Sequence, residues 1–172
     1  MAKVYLLTGS PGSGKTTVIR DALARTRVQA AGFYTEEIRT GGVRQGFSLT
    51  TLNGTSTTLA HVSISTPHRV GKYGVDITNL DKLGVAALLE AIDESDVIVI
   101  DEIGKMELFS ADFTETVLEI IGSGRKVLGT IMSDANPVAD KIKQQPPVNL
   151  VEVTRANYQP VLGDLRSWLA AI

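Results

Sequence analysis

The sequence predicts an α/β protein: a mostly parallel central sheet with helices on both faces and an inserted antiparallel β meander. Three observations carry this. The stretch GSPGSGKTT (Gly9–Thr17) lies between an apolar run, Val4-Tyr5-Leu6-Leu7, and the helix-patterned segment TTVIRDALAR. Later apolar runs, VIVID (Val97–Asp101), KVLGTIM and VNLVEV, alternate with amphipathic stretches. That alternation implies right-handed crossovers and strands covered on both faces. Between them, GFYTEEI, VRQGFSLTTL and STTLAHVSI are β-patterned and joined by the turn sequences TGG and NGT, which predicts a meander over residues 32 to about 62.

The remaining elements follow in order. STPHRVGKYGVD (Ser65–Asp76) reads as a loop, and LDKLGVAALLEAI as a helix with Thr78 or Asn79 as its cap. Ser110 is placed to cap ADFTETVLEII, which Gly122 and Gly124 end. PVADKIKQQ reads as a short helix, and YQPVLGDLRSWLAAI as the last one, with Pro160 tolerated in its first turn. No linker, repeat or low-complexity tract interrupts residues 1–172, so one domain is expected.

Gly9, Gly14, Lys15 and Thr16 fit G-x-x-x-x-G-K-[ST]. Glycines let successive backbone N–H groups point into one concavity, because no Cβ blocks the approach. Lys15 offers a mobile charge for outer phosphates, and the Thr16 hydroxyl a hard oxygen for Mg²⁺. A helix starting near Lys15 aims its unpaired N–H groups at the same anion. VIVID supplies the complementary part: Asp101 ends a buried strand at the carboxyl edge of the sheet, where a metal-holding carboxylate belongs. Glu102 follows it. A carboxylate there can polarise an attacking water, although the same residue could simply face solvent.

GSPGSGKTT, GFYTEEIRTGGVRQGF, HRVGKYGVD and VIDEIGKMELFS together resemble the small P-loop nucleoside-triphosphatase family that includes thermostable archaeal and bacterial enzymes and a human cancer-related enzyme. The resemblance implies the three-layer P-loop fold and Mg²⁺-dependent hydrolysis of several nucleoside triphosphates to diphosphate and phosphate. It also implies two nucleotide-binding segments. One is Gly9, Ser10, Pro11, Gly12, Ser13, Gly14, Lys15 and Thr16; the other is Val97, Ile98, Val99, Ile100, Asp101, Glu102, Ile103 and Gly104.

Phosphoryl transfer also calls for positive charge over the equatorial oxygens. Arg44, Arg69, Lys105 and Arg155 are candidates, with Arg69 favoured because it sits in a glycine-containing loop. His61 and His68 have no acidic or thiol companions at ligand spacing and read as structural.

Bulk properties narrow the partners. The chain has 172 residues, 43% hydrophobic and 21% charged, with a net charge of −2. That balance leaves no electrostatic footprint for nucleic acid. No run approaches the roughly 18 to 20 apolar residues a bilayer span needs. Cysteine is absent, which is compatible with the cytoplasm, and a monomer is expected. Without N-K-x-D, a dedicated GTP switch is disfavoured. Two other functions remain open: a nucleotide or small-metabolite kinase using the meander as an acceptor site, and a nucleotide-gated binding module.

Overall fold

A computed structural model describes residues 2–172. Its strands are β1 (Val4–Thr8), β2 (Ala30–Thr40), β3 (Val43–Thr51), β4 (Ser56–His61), β5 (Arg69–Val70), β6 (Tyr73–Val75), β7 (Val97–Ile103), β8 (Lys126–Ile131) and β9 (Val148–Glu152). They form one nine-stranded sheet in the order β5-β6-β4-β3-β2-β7-β8-β1-β9. From β2 to β9 the neighbours are parallel; from β2 to β5 they are antiparallel.

The helices are α1 (Lys15–Ala24), α2 (Ile77–Asn79), α3 (Ala86–Glu94), α4 (Ala111–Gly122), α5 (Pro137–Lys143) and α6 (Tyr158–Ala170), with a π-helical run, Leu80–Val85, joining α2 to α3. Side-chain alternation along β7 explains how they cover the sheet. Val97 and Val99 pack with Leu7 and Leu128 against Val18 and Ile19 of α1 and Leu165 and Trp168 of α6. Ile98 and Ile100 face the other way, toward Leu88 of α3 and Phe113 and Val117 of α4. A strand buried on both faces has no polar alternation to show, which is why VIVI reads as a continuous run.

The sheet departs from the expected layout in one respect. The antiparallel part is a continuation of the central sheet, and β2 belongs to both halves. Ala30–Tyr34 pairs in parallel with Val97–Asp101, while Phe33–Thr40 pairs antiparallel with β3. Gly32 makes the junction possible: its φ is +125°, and a Cβ there would lie 2.0 Å from the Val99 carbonyl oxygen. Parallel pairing between distant segments leaves no local pattern, so only the hairpin part was legible. Two smaller differences have local causes. Ser65–Asp76 contains the two-strand hairpin β5–β6, too short for alternation to register. The cap of α2 is Asp76, whose Oδ1 accepts from the Asn79 N–H at 2.8 Å, one turn ahead of the apolar periodicity. Ser110 caps α4 as expected, accepting from Phe113 N at 3.0 Å.

Candidate active site

Between β1 and α1 the chain turns through three glycines of positive φ: Gly9 (+145°), Gly12 (+76°) and Gly14 (+98°). They are needed for different reasons. A Cβ on Gly9 would stand 2.6 Å from the Val153 carbonyl oxygen, whereas one on Gly12 would meet nothing within 4 Å, so there only the backbone angle demands glycine. Gly14 caps α1 without any side-chain acceptor, leaving the first N–H groups of the helix open toward the loop. Lys15 folds back over the loop, donating from Nζ to the carbonyls of Gly9 at 2.8 Å and Ser10 at 3.2 Å. Those carbonyls hold the ammonium over the concavity where an anion would replace them.

The carboxyl end of β7 comes to this cradle. Asp101 is only 2% exposed. Its Oδ2 accepts from Thr16 Oγ1 at 2.8 Å and its Oδ1 from Thr130 Oγ1 at 2.7 Å. Burial pushes its pKa up, while the hydrogen bonds from Thr130 and Thr16 pull it down. The Asp101–Glu102 peptide bond is cis. Burial also raises Glu102, helped by the charge of Asp101 and opposed by Lys15. Glu107, in a 3₁₀ turn over Glu107–Phe109, is buried and pushed up to about 8, first by burial and then by the charge of Glu102. Gly104 separates the two carboxyls: a Cβ there would meet Glu107 Oε2 at 3.1 Å and Glu102 Oε1 at 3.2 Å.

Lys15, Thr16, Glu102, Lys105 and Glu107, together with Arg44 and Phe47 of β3, line a cavity of about 600 Å³. A smaller cleft of about 310 Å³, between Lys3, Asp96, Arg125 and Lys126, is walled by none of these groups.

Of the residues expected at the site, Gly9, Pro11, Gly12, Gly14, Lys15, Thr16, Glu102 and Gly104 line the larger cavity. Asp101 stands behind them, bonded to Thr16. The backbone of Ser10 takes part through its carbonyl, which also accepts from Ser13 N at 3.1 Å. Val97, Ile98, Val99, Ile100 and Ile103 do not face the cavity; their side chains are fully buried, and they position Asp101 by packing. Arg69 is not brought to the group. Its guanidinium donates to the carbonyls of Ile64 at 3.0 Å and Lys72 at 2.8 Å, tying down its own hairpin. Successive strand residues point to opposite faces, and it is Val70 that lines the cavity. Sequence reasoning missed Thr130 and Glu107. Both carried a signal: a polar residue within an otherwise apolar run, in KVLGTIM and in KMELF.

The fold and the cradle define a P-loop phosphate-binding α/β protein. A family model described as NTPase matches residues 4–165. The chain is 44% identical over 164 residues to the nucleoside-triphosphatase THEP1 of Thermotoga sp. (strain RQ2), covering 95% of this chain and 94% of the relative. It is 41% identical over 181 residues to the cancer-related nucleoside-triphosphatase of Homo sapiens, covering 96% and 95%. The crystal structure of THEP1 from Aquifex aeolicus superposes with a TM-score of 0.88 at 35% identity, covering 96% of this chain and 98% of that one. The chain belongs to this nucleoside-triphosphatase family.

Proposed function

We infer that the protein hydrolyses the terminal phosphoanhydride of nucleoside triphosphates, ATP, GTP, CTP and UTP among them, in a Mg²⁺-dependent reaction. The observation that carries this reading is the convergence of Thr16 and Asp101 beside the Lys15 cradle, with Glu102 in the same cavity.

Two hard oxygen donors 2.8 Å apart, one a buried carboxylate whose charge is disfavoured by burial, suit a divalent cation. Among the described residues no three His, Cys, Asp or Glu side chains group to hold a metal. Thr16 and Asp101 are the side chains that would hold a cation here. When bound, Mg²⁺ neutralises charge on the phosphate oxygens.

The chain's own groups supply the rest. Loop N–H groups and the start of α1 bind the phosphates, and Lys15 exchanges its carbonyl partners for phosphate oxygens. Glu102, whose raised pKa makes it a better base than an exposed carboxylate, takes a proton as a water oxygen attacks the terminal phosphorus. The bond from that phosphorus to the bridging oxygen breaks, and the diphosphate leaves with the electron pair. Backbone N–H groups read phosphates and not bases, which supports broad base tolerance.

Phosphate release from the four triphosphates, with Mg²⁺ or EDTA, tests the reading with parent, Lys15→Ala and Glu102→Gln proteins. Release with Mg²⁺ alone is expected, with Glu102→Gln still binding nucleotide but slowed on the order of 10²-fold or more. A phosphorylated metabolite in place of free phosphate, or parental turnover in Glu102→Gln, overturns it.

A further inference from the structure

The scheme above leaves one wall of the cavity without a task. Strand β2 pairs with β7 only as far as Tyr34 opposite Asp101, then runs on to Thr40 beyond the carboxyl edge of the sheet. With β3 it forms an arm over the phosphate cradle. The inner face of that arm carries Arg44, which lines the same cavity as Lys15, Thr16 and Glu102.

Arg44 is held on three sides. Its Nε donates to the Tyr73 hydroxyl at 2.9 Å, and its Nη1 to Glu37 Oε1 at 3.2 Å. Its guanidinium carbon lies 5.2 Å from the Phe47 ring centroid and 5.5 Å from that of Tyr73. Among the described residues, Nη2 has no acceptor, so one end of the planar fork stays open. Glu37 does not cancel this charge, because its other oxygen is engaged by Arg39, with Arg39 Nε at 2.8 Å. Lys105, which also lines the cavity, is exposed like Arg44, but no side-chain hydrogen bond holds it. A preorganised guanidinium loses less freedom on engaging an anion than a floppy ammonium.

We propose that Arg44 contacts the terminal phosphoryl group and stabilises its charge during transfer, an arginine supplied within the same chain. Tyr73 and Glu37 are its positioning residues. The arm is also tied to the cradle helix, because Glu36 pairs with Arg20 of α1, and the Arg20 guanidinium lies over the Tyr34 ring at 4.4 Å. This inference rests on the hydrolase reading, and its test separates the two.

Turnover, ADP affinity and affinity for ADP with aluminium fluoride, a transition-state mimic, are measured on the full chain with Mg²⁺. For Arg44→Ala we expect kcat to fall on the order of 10³-fold, the mimic to bind at least about tenfold more weakly, and ADP to bind within about threefold of the parent. Tyr73→Phe keeps the ring but removes the acceptor of Nε, and is expected to lower kcat severalfold at unchanged ADP affinity. Arg44→Ala turnover within threefold of the parent, or equal weakening of ADP and the mimic, overturns the proposal. Should Arg44→Ala fail to fold, parental kcat in Tyr73→Phe overturns it. A parent that binds the mimic through Arg44 yet releases no phosphate sinks the hydrolase reading and leaves the contact standing; a parent that binds no mimic sinks both.

Discussion

Thr16 and Asp101, 85 positions apart, are joined by a 2.8 Å hydrogen bond that closes the cradle onto the end of β7. The bond brings a hydroxyl and a carboxylate to the same corner, where the proposed reaction would hold its cation. Thr130 completes the arrangement from the neighbouring strand, holding Oδ1 of the same carboxylate.

Removing that outer support should weaken metal use without touching the phosphate loop. Thr130→Val preserves the shape of the side chain but leaves Oδ1 without its donor. The Mg²⁺ concentration for half-maximal turnover is expected to rise about 10- to 100-fold, with nucleotide binding in EDTA unchanged. A Mg²⁺ titration checks it; superimposable curves for parent and variant count against the assignment.

Glu107 makes the ligand-free fold pH-dependent. Its ordinary value is 4.5, and burial together with Glu102 lifts it to about 8 in the folded chain. Between those values the native state holds a proton that the unfolded state has released. Its stabilising contribution is therefore complete below pH 4.5 and fades as pH rises through about 8, a loss of up to roughly 5 kcal/mol. Glu102 and, more weakly, Asp101 face it as charges that raise it further, and Lys15 and Lys105 line the same cavity as Glu102 and Glu107. Urea unfolding from pH 5 to 8.5 should show the parent weakening and Glu107→Gln weakening less. Parallel profiles would dismiss Glu107 as the source.

Two glycines of positive φ separate backbone angle from close approach. At Gly41, in the β2–β3 turn, φ is +58° and a Cβ would meet nothing within 4 Å, so Gly41→Ala should cost about 1–2 kcal/mol. At Gly32 the same change drives a methyl to 2.0 Å from the Val99 carbonyl oxygen. There we expect a loss above about 4 kcal/mol or failure to fold. Chemical denaturation of both proteins decides; equal costs would mean the β2–β7 contact yields readily.

Arg69→Ala should slow turnover less than threefold, because its guanidinium is spent on the carbonyls of Ile64 and Lys72. A loss as large as that expected for Arg44→Ala would return Arg69 to the reaction. Steady-state kinetics of the two variants side by side are sufficient.

What was legible in the sequence depended on how local the cause was. The phosphate loop was readable because its glycines, lysine and threonine are dictated within nine residues. Asp101 was readable because a charge ending an apolar strand is conspicuous. The pairing of β2 with β7 was not, since its condition, a missing Cβ at Gly32, concerns a strand more than sixty positions away. The choice between Arg44 and Arg69 was equally hidden. Both lie in glycine-containing hairpin segments, and only the sheet decides that Val70 turns inward and Arg69 outward. Thr130 and Glu107 were visible as polar residues in apolar company, but their meaning required knowing which carboxylates they approach.

The eleven residues of β2 are rooted between β7 and β3 and stay paired with β3 out to Thr40, with a register shift between Ile38 and Arg39. The number of residues between Tyr34 and the Gly41–Gly42 turn therefore sets how far this hairpin projects past the end of β7.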